Sequence, residues 1–262
     1  MFVQERLDAI AAKAVREKRV TVKELAREFG VSEDLIRKDL TLLEKQGKLQ
    51  KVYGGAVSVR HNPKRYSSRE RLAEHEEERM ALAEACMSLI RPDMKLFLDS
   101  SLTNARLAAL IAASDMRLTV FTNMIPVLNE LSGAKHIKLI LFGGELNEER
   151  DAFWGSAALE QANRFRYDLA VIGTVGADLT SGDLTTYLEA DGVLKHTVMT
   201  RSKEVWTAVE THKFSESGDY TWGTLNDLTG IIMEEDAVQQ YRNELKKTGI
   251  KTLKARKAGN NE

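Results

Sequence analysis

The sequence predicts an α/β protein in which a winged helix-turn-helix at the N-terminus precedes a larger, mostly parallel α/β domain. Near the N-terminus, three helical patterns are followed by a glycine-containing hairpin. Farther along, short apolar runs alternate with helical segments, which is typical of right-handed βαβ units. The 262 residues, 43% of them hydrophobic, can supply one ordinary core and a second, smaller one.

Two helices are predicted before residue 30. From residue 3 to about residue 18, apolar side chains such as Leu7, Ile10 and Ala14 recur at the spacing of one helix face. Thr21 and Glu24 then form the pattern of a capping box, in which each side chain satisfies an unpaired backbone N–H group. A second, short helix is therefore expected to begin directly after Thr21.

A third helix is predicted after a tight turn. Gly30 suits the left-handed conformation that ends a helix, and Ser32 is a good N-cap for the next one. That helix runs to about residue 46 and would bury Ile36, Leu40 and Leu43. Two helices joined by a tight turn, with a third before them, are the core of a helix-turn-helix.

After residue 47 the pattern changes to a β-hairpin that turns at Gly54 and Gly55. Helix, helix, turn, helix and hairpin in this order predict a winged helix-turn-helix, DNA-binding domain over residues 1–60. Residues 61–80 contain Pro63 and a dense run of mixed charge, so we expect a linker and the start of a helix there. The remaining residues, 81–262, form the predicted α/β domain.

Six apolar runs in that second domain are predicted to be strands of a parallel sheet with helices on both faces. They occupy residues 95–99, 118–123, 138–144, 167–173, 205–210 and 228–234. The tail after Lys246 is expected to fray.

Charge is distributed unevenly between the two predicted domains. Residues 1–60 contain 13 Lys/Arg and 9 Asp/Glu, a formal charge of +4, whereas the rest of the chain contains 25 and 30, a formal charge of −5. A basic N-terminal domain on a mildly acidic protein is what contact with DNA phosphates requires.

The residues expected to contact DNA lie on the third helix and on the hairpin, or wing. Side chains of a helix in the major groove reach base edges and flanking phosphates, and glycines in a wing allow close approach to the backbone. Each residue alone is more typical of a solvated surface, but their order within one short basic segment predicts DNA binding. The candidate contacts are Ser32, Arg37, Lys38, Lys51, Tyr53, Gly54 and Gly55.

Several classes of protein are not indicated. Cys86 is the single cysteine, so an internal disulfide cannot form, which fits a reducing cytoplasm. The five histidines show no metal-binding spacing, and we expect neither a metal nor another cofactor. No run of about 18 uncharged apolar residues is present, so we expect neither membrane spanning nor secretion.

Short motifs run through both predicted domains. In the first they occupy residues 22–32, 36–40, 43–49 and 52–56. In the second they are Asp99-Ser100, Thr122-Asn123, Gly143-Gly144, Gly173-Thr174, Thr186, Glu189, Lys195 and Lys213-Phe214. Together they resemble the DeoR family of bacterial regulators of sugar metabolism. The helical motif is specific, whereas the later motifs are short.

The resemblance implies a sensor domain similar to the folds of ribose-5-phosphate isomerase and glucosamine-6-phosphate deaminase, with catalytic activity lost and a small phosphorylated sugar bound as effector. It implies a transcriptional regulator, and in the first place a repressor, of a carbohydrate-utilisation operon. Its partner would be double-stranded operator DNA. A homodimer or homotetramer is expected, because two half-sites require two winged modules.

The motifs of the second domain follow predicted strands, at the edge where open α/β sheets bind ligands. The segment that begins at Asp99 leads into a helix, so its N–H groups and hydroxyls can hold an anion, while Asp99 itself suits a sugar hydroxyl. Lys195 and Lys213 would offset a phosphate charge, and Glu189 would fix a sugar hydroxyl. The predicted effector residues are Asp99, Ser100, Ser101, Thr103, Asn123, Gly144, Thr174, Glu189, Lys195 and Lys213.

Some positions depart from the family pattern. Ser101 stands where a glycine is expected, Leu102 where a small polar residue is expected, and Val175 where an acidic residue is usual. Thr211-His212 replace an acidic residue and serines. These substitutions remove polar groups, so either the effector is an atypical sugar derivative or phosphate binding is weakened or absent.

Two other functions stay open on the sequence alone. The large domain could be a sugar-phosphate isomerase-like enzyme with an accessory winged helix, and Asp99, Glu189 and His212 would then be the candidate general bases. The winged domain could instead bind protein, which Glu33 and Asp34 at the start of the third helix allow. Turnover of sugar phosphates distinguishes the enzyme, and salt-dependent binding to duplex DNA distinguishes the regulator from the adaptor.

Overall fold

The computed structural model of the chain describes residues 3–17, 19–45, 48–57, 75–147 and 151–256. The chain divides between Pro63 and Lys64 into two compact units, which we call the N-terminal unit and the C-terminal unit. No helix within the described ranges is both long and apolar enough to cross a bilayer.

The described part of the N-terminal unit contains three helices and a small antiparallel sheet. The helices are α1 (Val3–Glu17), α2 (Val22–Phe29) and α3 (Glu33–Lys45), and the strands are β1 (Arg19–Thr21), β2 (Gln50–Val52) and β3 (Gly55–Val57). The strands pair in the order β1-β3-β2. The predicted order of helices, turn and wing is confirmed. Strand β1 was not predicted, because three residues are too few to show an alternating pattern.

Local side chains set the boundaries of α2 and α3, as predicted. The Thr21 hydroxyl accepts a hydrogen bond from the Glu24 backbone N–H at 3.3 Å, and the Glu24 carboxylate accepts one from the Thr21 N–H at 3.3 Å. Gly30 ends α2 in the left-handed conformation, with φ of 65°. Ser32 Oγ accepts from the Leu35 N–H at 3.2 Å and so caps α3.

A buried ion pair fixes α3 against α1. Arg6 Nε donates to Asp39 Oδ2 at 2.7 Å, and Arg6 Nη2 donates to Asp39 Oδ1 at 3.3 Å. Both side chains are buried beside the apolar core of the unit. That core consists of Leu7, Ile10, Ala14, Val20, Val22, Leu25, Ile36, Leu40, Leu43, Leu49 and Ala56.

The two wing glycines have different structural roles. Gly54 lies in the turn with φ of 78°, which a glycine adopts without strain. Gly55 instead lies buried in β3, where a Cβ atom would stand 2.0 Å from the carbonyl oxygen of Val20. Gly55 is therefore required by the approach of β1, and its predicted contact with phosphate stays a prediction.

The described part of the C-terminal unit is built around a seven-stranded sheet. The order is β15-β14-β12-β9-β4-β5-β6, and every pairing is parallel. These strands are β4 (Lys95–Leu98), β5 (Leu118–Thr122), β6 (Ile137–Leu141), β9 (Tyr167–Val171), β12 (Ser202–Val209), β14 (Gly230–Glu234) and β15 (Lys251–Ala255). The predicted parallel α/β architecture is confirmed.

Helices cover both faces of this sheet and enclose two apolar cores. One core contains side chains from α4 (Glu76–Met87), α5 (Leu102–Ala112) and α6 (Ile125–Leu131). The other contains side chains from α7 (Ser156–Arg164), α8 (Glu189–Thr200), α9 (Glu235–Gln240) and α10 (Arg242–Thr248). Helices α5 and α8 thus approach the carboxyl edge of the sheet from opposite faces.

Short strands lie at the carboxyl edge of the seven-stranded sheet. Strands β7 (Glu145–Leu146) and β8 (Phe153–Trp154) pair with each other, and β10 (Gly176–Ala177), β11 (Asp183–Thr186) and β13 (Tyr220–Thr224) form a second antiparallel sheet. None of these was predicted. Two 3₁₀ helices, Thr211–Phe214 and Leu225–Asp227, also lie within the described residues.

Two predictions on the ends of the C-terminal unit need comment. The tail expected to fray after Lys246 instead completes α10 and then pairs as β15 with β14, so that prediction is wrong up to residue 256, and residues 257–262 lie outside the described ranges. Helix α4 begins at Glu76, within residues 61–80, where a linker and the start of a helix were predicted. Residues 58–74, which include most of the predicted linker and the predicted end of the hairpin, lie outside the described ranges, so the proposed boundaries of 1–60, 61–80 and 81–262 stay a prediction.

Candidate functional sites

The first candidate site is the surface of α3 that faces away from the core. Arg37 lies on it, but its guanidinium is held by two carboxylates of the first turn: Nη2 lies 2.7 Å from Glu33 Oε2, and Nη1 lies 2.7 Å from Asp34 Oδ1. The predicted DNA contact of Arg37 therefore requires the guanidinium to leave Glu33 and Asp34. Lys38, the next residue, is exposed and forms no ion pair with another described residue.

The wing is bound to the side of α3. Lys51 Nζ donates to Thr41 Oγ1 at 2.8 Å, and the Lys51 backbone N–H donates to Glu44 Oε1 at 2.8 Å. The Lys51 ammonium group thus contacts the helix, whereas the sequence predicts that it contacts phosphate. Tyr53, at the tip of the wing, is fully exposed.

The second candidate site lies at the carboxyl ends of β4 and β9, around Asp99. Both carboxylate oxygens of Asp99 accept hydrogen bonds: Oδ1 from Asn104 Nδ2 at 2.6 Å, and Oδ2 from the Gly173 N–H at 2.9 Å and from Lys195 Nζ at 2.6 Å. A Cβ atom at Gly173 would stand 2.5 Å from Ser101 Cβ. The loop after β9 therefore packs directly on the loop after β4.

Lys195 joins this cluster to α8. Its ammonium group lies 2.6 Å from Asp99 and 2.9 Å from Asp191, and all three side chains are buried. Asp191 also accepts hydrogen bonds from Thr186 Oγ1 at 2.6 Å and Ser100 Oγ at 3.2 Å. Burial alone would lower the pKa of Lys195, but the two carboxylates raise it above the ordinary lysine value. Two carboxylates thus neutralise the positive charge that was expected to offset phosphate.

The start of α5 faces the same edge. Ser101 Oγ accepts from the Asn104 N–H at 3.2 Å and caps the helix, so this N–H is already paired. Thr103, in that first turn, is buried. Four predicted effector residues, Asp99, Ser100, Ser101 and Thr103, are therefore brought together with Lys195.

Asn123 lies at the next strand end, because Leu98 is opposite Thr122 in the register of β4 and β5. Its Nδ2 donates to the Phe153 carbonyl at 2.9 Å, while its buried Oδ1 has no hydrogen-bond donor among the described residues. Gly144 faces β8 instead, where a Cβ atom would stand 2.2 Å from the Trp154 carbonyl oxygen. Gly144 is thus needed for strand packing, and its predicted role in effector binding stays a prediction.

The other predicted effector residues have polar partners outside the cluster around Asp99 or are exposed. The Thr174 hydroxyl donates to the carbonyl groups of Gly176 and Thr185, at 2.8 and 2.9 Å, so it serves the small antiparallel sheet. Glu189 is exposed at the start of α8. Lys213, after β12, pairs with buried Glu210 at 2.5 Å. Among the described residues, these three side chains have no hydrogen bond or ion pair with Asp99, Asp191 or Lys195.

Two family models match the chain. One, described as the DeoR C terminal sensor domain, covers residues 74–235, and the other, described as the DeoR-like helix-turn-helix domain, covers residues 6–62. The chain belongs to the DeoR family. The resemblance in the sequence motifs is thereby confirmed.

Similar proteins span nearly the full length of this DeoR-family chain. The HTH-type transcriptional repressor GlcR of Bacillus subtilis (strain 168) is 29% identical over 97% of this chain and 96% of its own. A putative aga operon transcriptional repressor of Escherichia coli O157:H7 is 26% identical over 95% and 93%. The L-fucose operon activator of Escherichia coli (strain K12) is 28% identical over 84% and 90%.

Two solved structures are similar to part of the chain. Ribose 5-phosphate isomerase A of Methanocaldococcus jannaschii has a TM-score of 0.40 at 12% identity and covers 53% of this chain and 55% of its own. The eIF2B beta of Chaetomium thermophilum has a TM-score of 0.43 at 14% identity, over 62% of this chain and 50% of its own. The chain thus spans about half the length of these neighbours, and its own strand order defines its fold.

This DeoR-family protein is a DNA-binding transcriptional regulator and not an enzyme. The three candidate general bases lie in different surroundings. Asp99 is engaged by three donors, Glu189 is exposed, and the His212 ring is stacked on His75 with their centroids 4.2 Å apart.

Sequence reasoning missed two residues of the Asp99 cluster. Asp191 stands four positions before Lys195 on a predicted helix, a spacing that signals an ion pair. Asn104 follows the predicted loop directly, and its Nδ2 bridges Asp99 to the Val171 carbonyl at 2.8 Å. The spacing could have identified Asp191, whereas no local pattern indicates that Asn104 contacts β9.

His212 makes the stability of this regulator sensitive to acid. Burial lowers the pKa of His212 from 6.5 to about 4, and the nearby charge of Lys213 lowers it as well. His75 and Arg79 also lower this pKa, whereas Glu210 raises it. The unfolded chain therefore binds this proton first as pH falls. The stability contribution is complete above about pH 6.5 and is lost between about pH 6.5 and pH 4.

We expect the unfolding temperature of His212→Gln to fall less than that of the wild type between pH 7 and pH 4. Calorimetry of both chains across this range measures the difference, and His136→Gln controls for removal of a histidine elsewhere. Parallel curves for the wild type and His212→Gln would contradict the shift.

Proposed function

We propose that this DeoR-family regulator is a cytoplasmic repressor of a carbohydrate-utilisation operon, and that a small phosphorylated sugar modulates its affinity for operator DNA. The names of similar proteins support a sugar operon: they include a putative aga operon repressor, an L-fucose operon activator and a lactose phosphotransferase system repressor. A homodimer or homotetramer would present two winged units to two half-sites.

The observation that carries the effector proposal is the arrangement at the carboxyl ends of β4 and β5. The first turn of α5, an eleven-residue helix, begins there with the hydroxyls of Ser100, Ser101 and Thr103. The N–H groups of Leu102 and Thr103 have no acceptor within the helix and lie at the positive end of the helix dipole, whereas Ser101 Oγ already accepts from the Asn104 N–H. Asn123 Oδ1, on the adjacent strand end, lacks a donor among the described residues. A phosphate group would accept hydrogen bonds from the N–H groups at the start of α5, and a sugar hydroxyl would donate one to Asn123 Oδ1.

The charge balance limits how tightly phosphate is held. Lys195 is already neutralised by Asp99 and Asp191, and Lys213 by Glu210. Helix N–H groups and hydroxyls would therefore provide most of the contacts to phosphate, with Lys213 joining only if it leaves Glu210. The sugar hydroxyls would reach Asp191, Ser100 and the exposed Glu189.

Regulation follows from linkage. A sugar phosphate lowers affinity for the operator only if it binds more tightly to the conformation that holds the paired winged units out of register with the DNA. By the same linkage, operator DNA lowers the affinity for the sugar phosphate by an equal factor.

The test is a screen of the full chain against pentose and hexose phosphates, with the unphosphorylated sugars and inorganic phosphate as controls. A ligand at about 100 times its Kd stabilises the fold by about 2.7 kcal/mol, which raises the unfolding temperature. We expect one sugar phosphate to do so and also to reduce fluorescence anisotropy of a labelled operator duplex. If no sugar phosphate changes either signal, the effector proposal is wrong.

A matched pair of variants locates the site. Thr103→Val removes a buried hydroxyl at the start of α5 with little change in shape, and we expect it to weaken effector binding about tenfold, the equivalent of one hydrogen bond to a charged group. Thr197→Val removes a hydroxyl that donates to Val193 within α8, away from the strand ends, and should leave the affinity unchanged. Equal losses in both variants would place the effector elsewhere.

A further inference from the structure

Leu42 is an apolar side chain on the surface of a helix that otherwise carries charge there. It is 42% exposed, although it belongs to the recognition helix α3 of a small unit with a well-formed core. Its neighbours at the helical spacing of four and three residues are Lys38 and Lys45, which are both exposed and form no ion pair with another described residue. Arg37, Lys38, Thr41, Leu42 and Lys45 line a shallow depression on this surface.

The hydrogen-bonding groups of the same surface are mostly engaged within the protein. Arg37 is held by Glu33 and Asp34, each at 2.7 Å. The Thr41 hydroxyl donates to the Arg37 carbonyl at 2.8 Å and accepts from Lys51 at 2.8 Å. The groups left to meet a ligand are therefore two lysines and one leucine.

We infer that Leu42 is a specificity-determining residue that contacts the 5-methyl group of thymine in the major groove of the operator. The positive charges of the flanking lysines favour a polyanion as the partner of this surface, and duplex DNA is the polyanion that a helix-turn-helix binds. Among the four bases, thymine alone presents a methyl group to the major groove, and apolar side chains recognise it by contact. Leucine has no hydrogen-bonding group, so this methyl is the base feature that it can distinguish.

The interaction has a measurable signature. Deoxyuridine pairs as thymine does and lacks only the 5-methyl group, so its substitution removes the methyl contact and leaves hydrogen bonds and phosphates unchanged. Burial of one methyl-sized group corresponds to about a fourfold change in affinity. The wild-type chain should therefore bind about fourfold more weakly when the one contacted thymine of a half-site is replaced.

The experiment selects a high-affinity duplex for the full chain from a random pool and then replaces each thymine, one at a time, by deoxyuridine. Affinities are measured for the wild type, Leu42→Ala and Leu146→Ala. Leu146 is the matched control, because it is 41% exposed and lies in the C-terminal unit. Thermal unfolding verifies that both variants fold, and Leu42→Met tests rescue by another apolar side chain.

We expect the deoxyuridine penalty at that thymine to disappear in Leu42→Ala and to persist in Leu146→Ala and Leu42→Met. Because every phosphate interaction is retained, the salt dependence of Leu42→Ala should equal that of the wild type. The inference is overturned if no thymine shows a penalty, or if the penalty is the same in Leu42→Ala. A change of oligomeric state in Leu42→Ala, with the penalty intact, would overturn it too and assign Leu42 to a protein interface.

This inference rests on DNA binding by α3 and not on the effector. A chain that selects no duplex would refute both the DNA-binding function and the role of Leu42. A chain that selects a duplex but shows no deoxyuridine penalty would refute the role of Leu42 alone.

Discussion

Lys195→Met is expected to lower the free energy of unfolding of the C-terminal unit by about 3–5 kcal/mol, because removal of one partner from a buried ion pair leaves uncompensated charge. Here the charge left behind belongs to two carboxylates, Asp99 and Asp191, which lie 2.6 and 2.9 Å from the ammonium group. Methionine fills a similar volume, so the decrease reports charge and hydrogen bonding rather than a cavity. Urea denaturation monitored by circular dichroism measures it.

The control for this prediction is Lys203→Met. Lys203 lies on β12 and pairs with Asp168 at 2.8 Å, but its side chain is 78% exposed, so about 0–1 kcal/mol is expected. Adding Asp191→Asn to Lys195→Met should recover part of the stability, because it removes one of the two unpaired charges. If the free energy of unfolding falls by less than about 1 kcal/mol in Lys195→Met, Lys195 does not form the buried ion pairs with Asp99 and Asp191.

Asp39→Ala is expected to cost the N-terminal unit about 3–5 kcal/mol and to abolish tight binding to DNA. Asp39 is the buried partner of Arg6, and their hydrogen bond at 2.7 Å holds α3 against α1. Without it, Arg6 is a buried cation with no carboxylate, and the recognition helix is no longer held in a fixed orientation. Unfolding of the chain and its affinity for a selected duplex measure the two effects.

Two further variants separate charge from packing at this site. Glu33→Gln removes an exposed carboxylate from the same helix and should cost only about 0.3–0.5 kcal/mol. The double variant Arg6→Met with Asp39→Leu should be far more stable than Asp39→Ala alone, because apolar pairs commonly replace buried ion pairs at little cost. If Asp39→Ala unfolds as the wild type does, the pair does not fix α3.

The local parts of the fold were predictable because single segments determine them. Thr21, Glu24, Gly30 and Ser32 set helix boundaries through interactions with residues at most four positions away. Strand β15 was not predicted, because its exposed Lys251 and Lys254 interrupt the apolar pattern, and it is stabilised by pairing with β14. Its existence depends on the sheet rather than on its own residues.

The candidate sites were predictable only in outline. Strand ends indicated that Asp99 and Lys195 belong to one edge of the sheet, but their pairing joins positions 96 residues apart and so leaves no trace in the sequence. Gly55 and Gly144 suggested contact with ligands, whereas backbone oxygens of Val20 and Trp154 occupy the space beside them. A glycine shows that backbone approaches closely, and only the fold shows which backbone it is.

The salt dependence of DNA affinity, measured for the wild type and for Lys38→Ala on the same selected duplex, tests most directly whether the outward surface of α3 lies on DNA. We expect the logarithm of the affinity to fall linearly with the logarithm of the salt concentration. Lys38→Ala should reduce that slope by about one for each winged unit bound, because each unit of the variant neutralises one phosphate fewer. No retention on the duplex at about 50 mM salt, or a slope in both Lys38→Ala and Lys45→Ala that equals the wild-type slope, would contradict the assignment of α3 as the DNA-reading helix.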